Sequence, residues 1–210
     1  MNDTIFPLIH GMSTSGNCHK IRMLLEHLDI PYRWNEVDIM TGGTQTPEFL
    51  AMNPNGKVPV VEIAPDRYLS ESNAVLCHYG EGTSLLPGDP WVRARCLQWL
   101  FFEQYSHEPC IAVARFICRF LDADHPRRAE LPQLHDRGYK ALAVMEQQLA
   151  TDDFLVEQHY TVADIALFAY THRAHEGGYQ LGEFPAIRAW LERVQATPGF
   201  VAMPDTHPAS

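Results

Sequence analysis

Lysine is scarce in this sequence. Only three of the 210 residues are lysine, so arginine supplies nearly all of the sixteen basic side chains, and basic residues never cluster beyond pairs such as Arg127–Arg128. Against 26 acidic residues the formal net charge is −10, which argues against a nucleic-acid backbone or an anionic membrane as the main partner. Long apolar runs are missing too. The most apolar stretch, IAVARFICRFL, carries Arg115 and Arg119 and does not read as a membrane span. The first twenty residues lack a basic segment followed by an apolar one, so no secretory signal is expected. There is no C-x-x-C, and the five cysteines at 18, 77, 96, 110 and 118 fit a disulfide framework poorly. Reduced thiols in the cytoplasm are the expectation. His107 with Cys110, and His172 with His175, have helical spacing but no further ligands in a zinc pattern, so no metal site is expected. No Gly-rich phosphate loop occurs.

What is present divides into two parts. The first eighty residues alternate in type. Residues 4–9 read as a strand, and 17–29 as a helix with Ile21, Leu24, Leu25 and Leu28 on one face. Residues 32–38 alternate like a strand. A Gly42–Gly43 turn, a short helical stretch near TPEFLAM, strands at 58–63 and 67–70 and a helix from 72 follow. The order β-α-β-(α)-β-β-α predicts a mixed sheet with helices on its faces.

After the Gly/Pro-rich linker GEGTSLLPGDP nothing reads as a strand. A long apolar-periodic segment spans 90–121, with Leu97, Leu100 and Phe101 on one stripe and Pro109 expected to kink or break it. Helices are predicted over 132–150, in the apolar run YTVADIALFAYTHRAH and over 185–196. Thr161 and Asp164 have capping-box-like spacing before an apolar run. The tail MPDTHPAS is expected to fray. The predicted fold class is α/β plus all-α, with a first domain at 1–81, a linker at 82–89 and a helical domain at 90–210.

Three junctions carry candidate chemistry. In STSGNCHK, hydroxyls, a glycine and an amide stand between a strand and a helix. Ser15 and Asn17 could simply cap orphan N–H groups, or could hold an anion together with the helix N-terminus. In NPNGKVPVVE, a cis Val58–Pro59 bond would turn the Val58 backbone outward to pair with a peptide-like ligand. The alternative is an edge-strand proline. In LSESNAVLCHY, Glu71 could accept from a ligand ammonium while Ser72 and first-turn N–H groups bind a carboxylate. A plain capping serine is the alternative.

Taken in order and spacing, SGNCHKIRMLLEHLDIPY, NPNGKVPVVE, LSESNAVLCHY and YTVADIALFAYTHRAHEGGYQLGEFPAIRAWLERVQATPGF resemble the cytosolic glutathione transferase family over nearly the whole chain. The likeness is nearest to bacterial members that use a serine or threonine after the first strand. It implies a thioredoxin-like domain followed by an all-helical one, with glutathione as co-substrate. It further implies Ser15 at the glutathione sulfur with Asn17 beside it, Lys57, Val58 and the cis-proline Pro59 along the peptide, and Glu71 with Ser72 at the γ-glutamyl end. Asp164 matches a structural capping aspartate. Ser13 and Thr14 stay open as alternatives to Ser15, and Cys18, three residues on, is out of register for a catalytic cysteine. The implied reaction conjugates glutathione to a small hydrophobic electrophile packed against the 90–121 segment, where Tyr105, His107, Glu108 and Arg115 supply polar groups. Reduction of disulfides or organic peroxides with glutathione is the enzyme alternative, and a carrier or assembly module the non-enzymatic one. A homodimer is implied by the resemblance alone.

Overall fold

The computed structural model describes residues 6–206. The chain divides into two compact units, Met1–Gly80 together with Pro198–Ser210, and Glu81–Thr197. The first unit is built on a four-stranded mixed sheet in the order β2-β1-β3-β4. β1 (Leu8–Gly11) pairs in parallel with β2 (Arg33–Glu36), matching Leu8 to Arg33 and Gly11 to Glu36. β3 (Val60–Ala64) lies antiparallel between β1 and β4 (Arg67–Ser70). The first strand was expected over 4–9. Thr4 and Ile5 fall outside the described residues, and pairing with β2 carries the strand on through His10 and Gly11.

Successive side chains of a strand point to opposite faces, and β3 shows the result. Val61 joins Ile9, Ile21, Leu25 and Val75 in a cluster with α1 (Gly16–His27) and α3 (Ser72–Gly80). Its neighbour Val60 joins Val37 and Phe49, the latter from α2 (Pro47–Met52). The sheet is therefore covered on both faces. Gly11 is the tight point: an added Cβ there would lie 3.0 Å from Cys18 Sγ and 3.1 Å from the Trp34 ring. Only a hydrogen lets α1 and β2 approach the end of β1 this closely.

The segment from Pro198 was assigned to the helical domain on sequence, and its end was expected to fray. It groups instead with the first unit. Gly199, at φ +79°, sets its Cα where a Cβ would come 3.0 Å from the Glu26 carbonyl at the end of α1, and Met203 is buried. Residues 207–210 of the tail expected to fray lie outside the described residues.

The second unit is all helical. α4 (Pro90–Phe102) starts on Asp89, whose carboxylate accepts from the Val92 N–H at 2.9 Å. The break expected at Pro109 takes a specific form. Residues Glu103–His107 widen into a π-helical turn, the Glu108 N–H reaches back to the Glu103 carbonyl, and α5 (Glu108–Phe120) begins at once. Pro109 has no N–H to give and its ring clashes with the carbonyl four residues back, so a wider turn directly before it keeps the axis continuous. The three-residue stripe read from sequence does not survive intact: Leu100 is buried, but Phe101 is 71% exposed.

α6 (Leu131–Leu149), α7 (Val162–Thr171) and α8 (Pro185–Gln195) complete the unit. Every residue of α7 is buried, as a helix apolar all round requires. Its start is organised by Asp164. That buried carboxylate accepts from the backbone N–H groups of Leu155 (3.0 Å) and Thr161 (2.9 Å), from the Trp190 indole (2.9 Å) and from the Thr161 hydroxyl (3.3 Å). Burial pushes the carboxyl up to about 6, with these donors pulling the other way. Among the described residues no helix is long and apolar enough to cross a membrane.

Replacing Asp164 by alanine would strand two buried backbone N–H groups and an indole N–H, each costing about 1–3 kcal/mol when left unpaired. Urea unfolding should report a loss of about 3 kcal/mol or more for Asp164→Ala, and a smaller loss for Asp164→Asn, which keeps one acceptor oxygen.

Candidate functional site

The first junction is pinned from below. Where β1 ends, the Ser13 N–H and hydroxyl both donate to Glu36 Oε1 at the end of β2, at 2.8 and 3.1 Å, and the Trp34 indole donates to Glu36 Oε2 at 2.7 Å. Ser13 is thereby committed to the loop. Thr14 is also buried. Ser15 differs from both: it is half-buried, stands at the N-cap of α1 in extended conformation (φ −81°, ψ 130°), and its side chain caps no helical N–H. Its carbonyl does the capping work by accepting from the His19 N–H at 2.9 Å. So of the three junction residues that carry a hydroxyl, Ser13 and Thr14 are buried and Ser15 is half-buried at the amino end of a twelve-residue helix.

Cys18 lies in the first turn of α1, fully buried, with the Ser15 hydroxyl in hydrogen-bond contact. Burial pushes its thiol up to about 12, against the weaker opposing pull of Ser15, the Met12 backbone and Lys20. The thiol is therefore protonated at neutral pH.

The first and third junctions meet. The Ser72 hydroxyl, at the first position of α3, donates to Asn17 Oδ1 at 3.2 Å. Beneath them the Lys20 ammonium, fully buried, donates to Ser72 Oγ and to Asn73 Oδ1, both at 3.3 Å. Glu71 is exposed and held at φ +65°, a conformation unusual for a residue with a side chain. Its carbonyl accepts from the Ala74 N–H at 2.9 Å, so the backbone reverses there to open the helix.

The second junction is held by other means. The Val58–Pro59 bond is cis. Val58, half-buried, precedes the first β3 residue in the ladder, and packs against the Val37–Phe49–Val60 cluster. Asn53, buried, donates through Nδ2 to the Lys57 carbonyl at 2.8 Å and accepts from the Asn55 N–H at 3.1 Å. Lys57 itself is exposed.

Sequence reasoning missed Lys20, Glu36 and Asn53, the three residues that hold the junctions in place. Lys20 had a signal: it stands at i+3 from Asn17, on one helix face with it. Two of the polar residues picked out on the 90–121 segment, His107 and Arg115, have structural partners in the second unit. His107 Nε2 is 2.9 Å from the Thr171 hydroxyl, and buried Arg115 donates through Nε to Glu176 at 2.7 Å.

Residues 14–81 match the glutathione S-transferase N-terminal domain family, and residues 104–198 match the C-terminal domain family. A solved glutathione S-transferase from Pseudomonas fluorescens is 52% identical with a TM-score of 0.92, over 96% of this chain and 100% of that one. A disulfide-bond oxidoreductase of Escherichia coli, YfcG, is 30% identical over 87% of each chain. A second P. fluorescens structure, of a glutathione transferase family member with two glutathione bound, is 25% identical with a TM-score of 0.81, over 95% of this chain and 92% of that one. Two family matches that together span most of the sequence, and a near-superimposable relative sharing half its residues, leave one assignment: the chain belongs to the glutathione S-transferase family.

Proposed function

We propose that the protein binds glutathione and conjugates its thiolate to a small hydrophobic electrophile, with Ser15 as the hydroxyl that stabilises the sulfur anion. The observation that carries this is the separate fate of Ser15 among the junction hydroxyls: half-buried, at the amino end of α1, and not spent on capping. A thiol of pKa about 8.5 must fall by about two units to be mostly ionised at neutral pH, which takes roughly 2.7 kcal/mol. A hydrogen bond to a charged acceptor supplies about 1.5–3 kcal/mol, and a helix N-terminus about 0.3–1 kcal/mol. Ser15 and α1 together therefore suffice without a general base. Asn17 acts beside Ser15. Lys57 and Val58 line the peptide portion next to Pro59, and Glu71 and Ser72 receive the ammonium and carboxylate of the γ-glutamyl end. The known bound glutathione in a family member of the same fold supports the choice of ligand.

The sulfur that reacts is the ligand's. Cys18 is buried and protonated, and none of the five cysteines forms a disulfide. The second reading, glutathione-dependent reduction of a disulfide, is favoured by the E. coli relative's activity. It would use the same Ser15 site, because Cys18 is a poor nucleophile. Cysteines outside any disulfide also suit residence in the cytoplasm. A homodimer is supported by an apolar face on the second unit, where Phe101 and Tyr105 are 71% and 83% exposed and Val144 is 45% exposed. Tyr105 and Val144 border a groove of about 400 Å³ that Phe102, Ala141, Ser106 and the basic side chains Arg137 and Lys140 also line.

Three outcomes follow from this reading. Ser15→Ala should lower transferase kcat/KM by about 10²-fold, as loss of one oxyanion-type donor does, in an assay of glutathione with halogenated aromatics; unchanged kcat/KM would refute its role. Cys18→Ala should retain turnover within about threefold, and iodoacetamide should modify Cys18 far more slowly in the folded than in the urea-unfolded protein. Sedimentation equilibrium should give twice the monomer mass, and Tyr105→Glu should shift it toward the monomer by placing a charge in the apolar face.

A further inference from the structure

Lys20 is one of three lysines in the sequence and is completely buried in the first unit. A buried ammonium is costly to desolvate, so its position asks for a physical reason. It sits on α1 one turn beyond Asn17, and its hydrogen bonds go to Ser72 Oγ and Asn73 Oδ1, each at 3.3 Å. Neither α1 nor α3 carries an acidic residue in its first turn. The cation therefore adds to the positive ends of the two helices.

The hydrogen-bond directions sharpen this. An ammonium has donors only. With Lys20 donating into Ser72 Oγ, the Ser72 hydroxyl is turned to act as a donor, and in the structure its proton goes to Asn17 Oδ1 at 3.2 Å. A ligand carboxylate at the mouth of α3 can take that single proton over from Asn17 Oδ1, which a ligand ammonium cannot. Exposed Glu71, one residue earlier, has the opposite character.

We propose that Lys20 is a positioning residue for the glutathione site. Held by Asn73, it fixes Ser72 as a donor and makes the amino end of α3 selective for the α-carboxylate of the γ-glutamyl group, leaving the amino group to Glu71. Lys20 acts through Ser72 and does not touch the ligand. The inference rests on the proposed placement of the γ-glutamyl end at Glu71 and Ser72.

Isothermal titration calorimetry with two glutathione analogues tests it. In one, 4-aminobutyryl-cysteinyl-glycine, the α-carboxylate is missing; in the other, glutaryl-cysteinyl-glycine, the amino group is missing. Wild-type protein should prefer glutathione over the first analogue by about 10- to 100-fold in Kd, as a charge-assisted hydrogen bond implies. Lys20→Gln should reduce that preference to about threefold or less, while the preference over the second analogue stays unchanged. A purely structural role would weaken all three ligands alike and leave both preferences intact, which overturns the inference. If Lys20→Gln does not fold, Asn73→Ala, at a half-buried position, decides by the same readout: a diminished carboxylate preference supports the inference and an unchanged one overturns it. Wild-type protein that binds no glutathione overturns the functional reading itself, whereas wild-type protein that binds and discriminates, beside variants that discriminate equally, overturns the role of Lys20 alone.

Discussion

Two helices enter the first unit with their amino ends side by side, and polar groups buried there have little water to turn to. The Ser72 hydroxyl, the Asn17 amide and the Lys20 ammonium satisfy one another across that seam. Buried polar groups in folded proteins are almost always paired, and here the pairing does more than avoid a penalty. It fixes the distance between α1 and α3, and with it the distance between Ser15 at the start of one helix and Glu71 at the start of the other. Everything proposed about the site presupposes that spacing. The sheet underneath supplies the remaining constraint: at Gly11 even one added carbon would come 3.0 Å from Cys18 Sγ and 3.1 Å from the Trp34 ring, so α1 and β2 approach the end of β1 about as closely as a glycine allows.

The second unit solves the same problem with the opposite charge. α7 is buried along its whole length, so the orphan N–H groups at its start need a partner inside the protein. Asp164 serves Thr161 and Leu155 from the backbone and Trp190 from α8, tying three segments to one carboxylate. A buried carboxylate and a buried ammonium thus each organise hydrogen-bonding groups in one half of the chain, Asp164 those of Leu155, Thr161 and Trp190, and Lys20 those of Ser72 and Asn73.

Much of this was legible in the sequence, and the boundary of legibility is physical. Local signals carried well: the period of Ile21, Leu24 and Leu25, the Thr161–Asp164 spacing, and the strand–turn–strand run from Val60 to Ser70 all express forces acting within a few residues. Non-local ones did not. Glu36 looks like any polar residue at a strand end until β1 and β2 pair and bring Ser13 above it. Lys20 reads as a surface lysine until α3 closes over it. Phe101 fits an apolar period yet faces outward, because the π turn at Glu103–His107 and the packing of neighbouring helices decide which face is covered. Among the site residues, Asn17 and Ser72 are joined directly, whereas the surroundings of Lys57 and Val58 depend on Asn53, whose role only loop closure reveals.

The return of the segment after Pro198 to the first unit has a consequence for how the polypeptide comes into being. In chain order the helical unit is an insertion: the first unit is begun by residues before Gly80 and finished by Gly199 and Met203. During synthesis, which proceeds from the amino end, the sheet and α1 emerge early but lack this piece until the whole helical unit has been made. Excising the opening eighty residues would therefore yield a fragment missing part of its own covering, with the end of α1 laid bare.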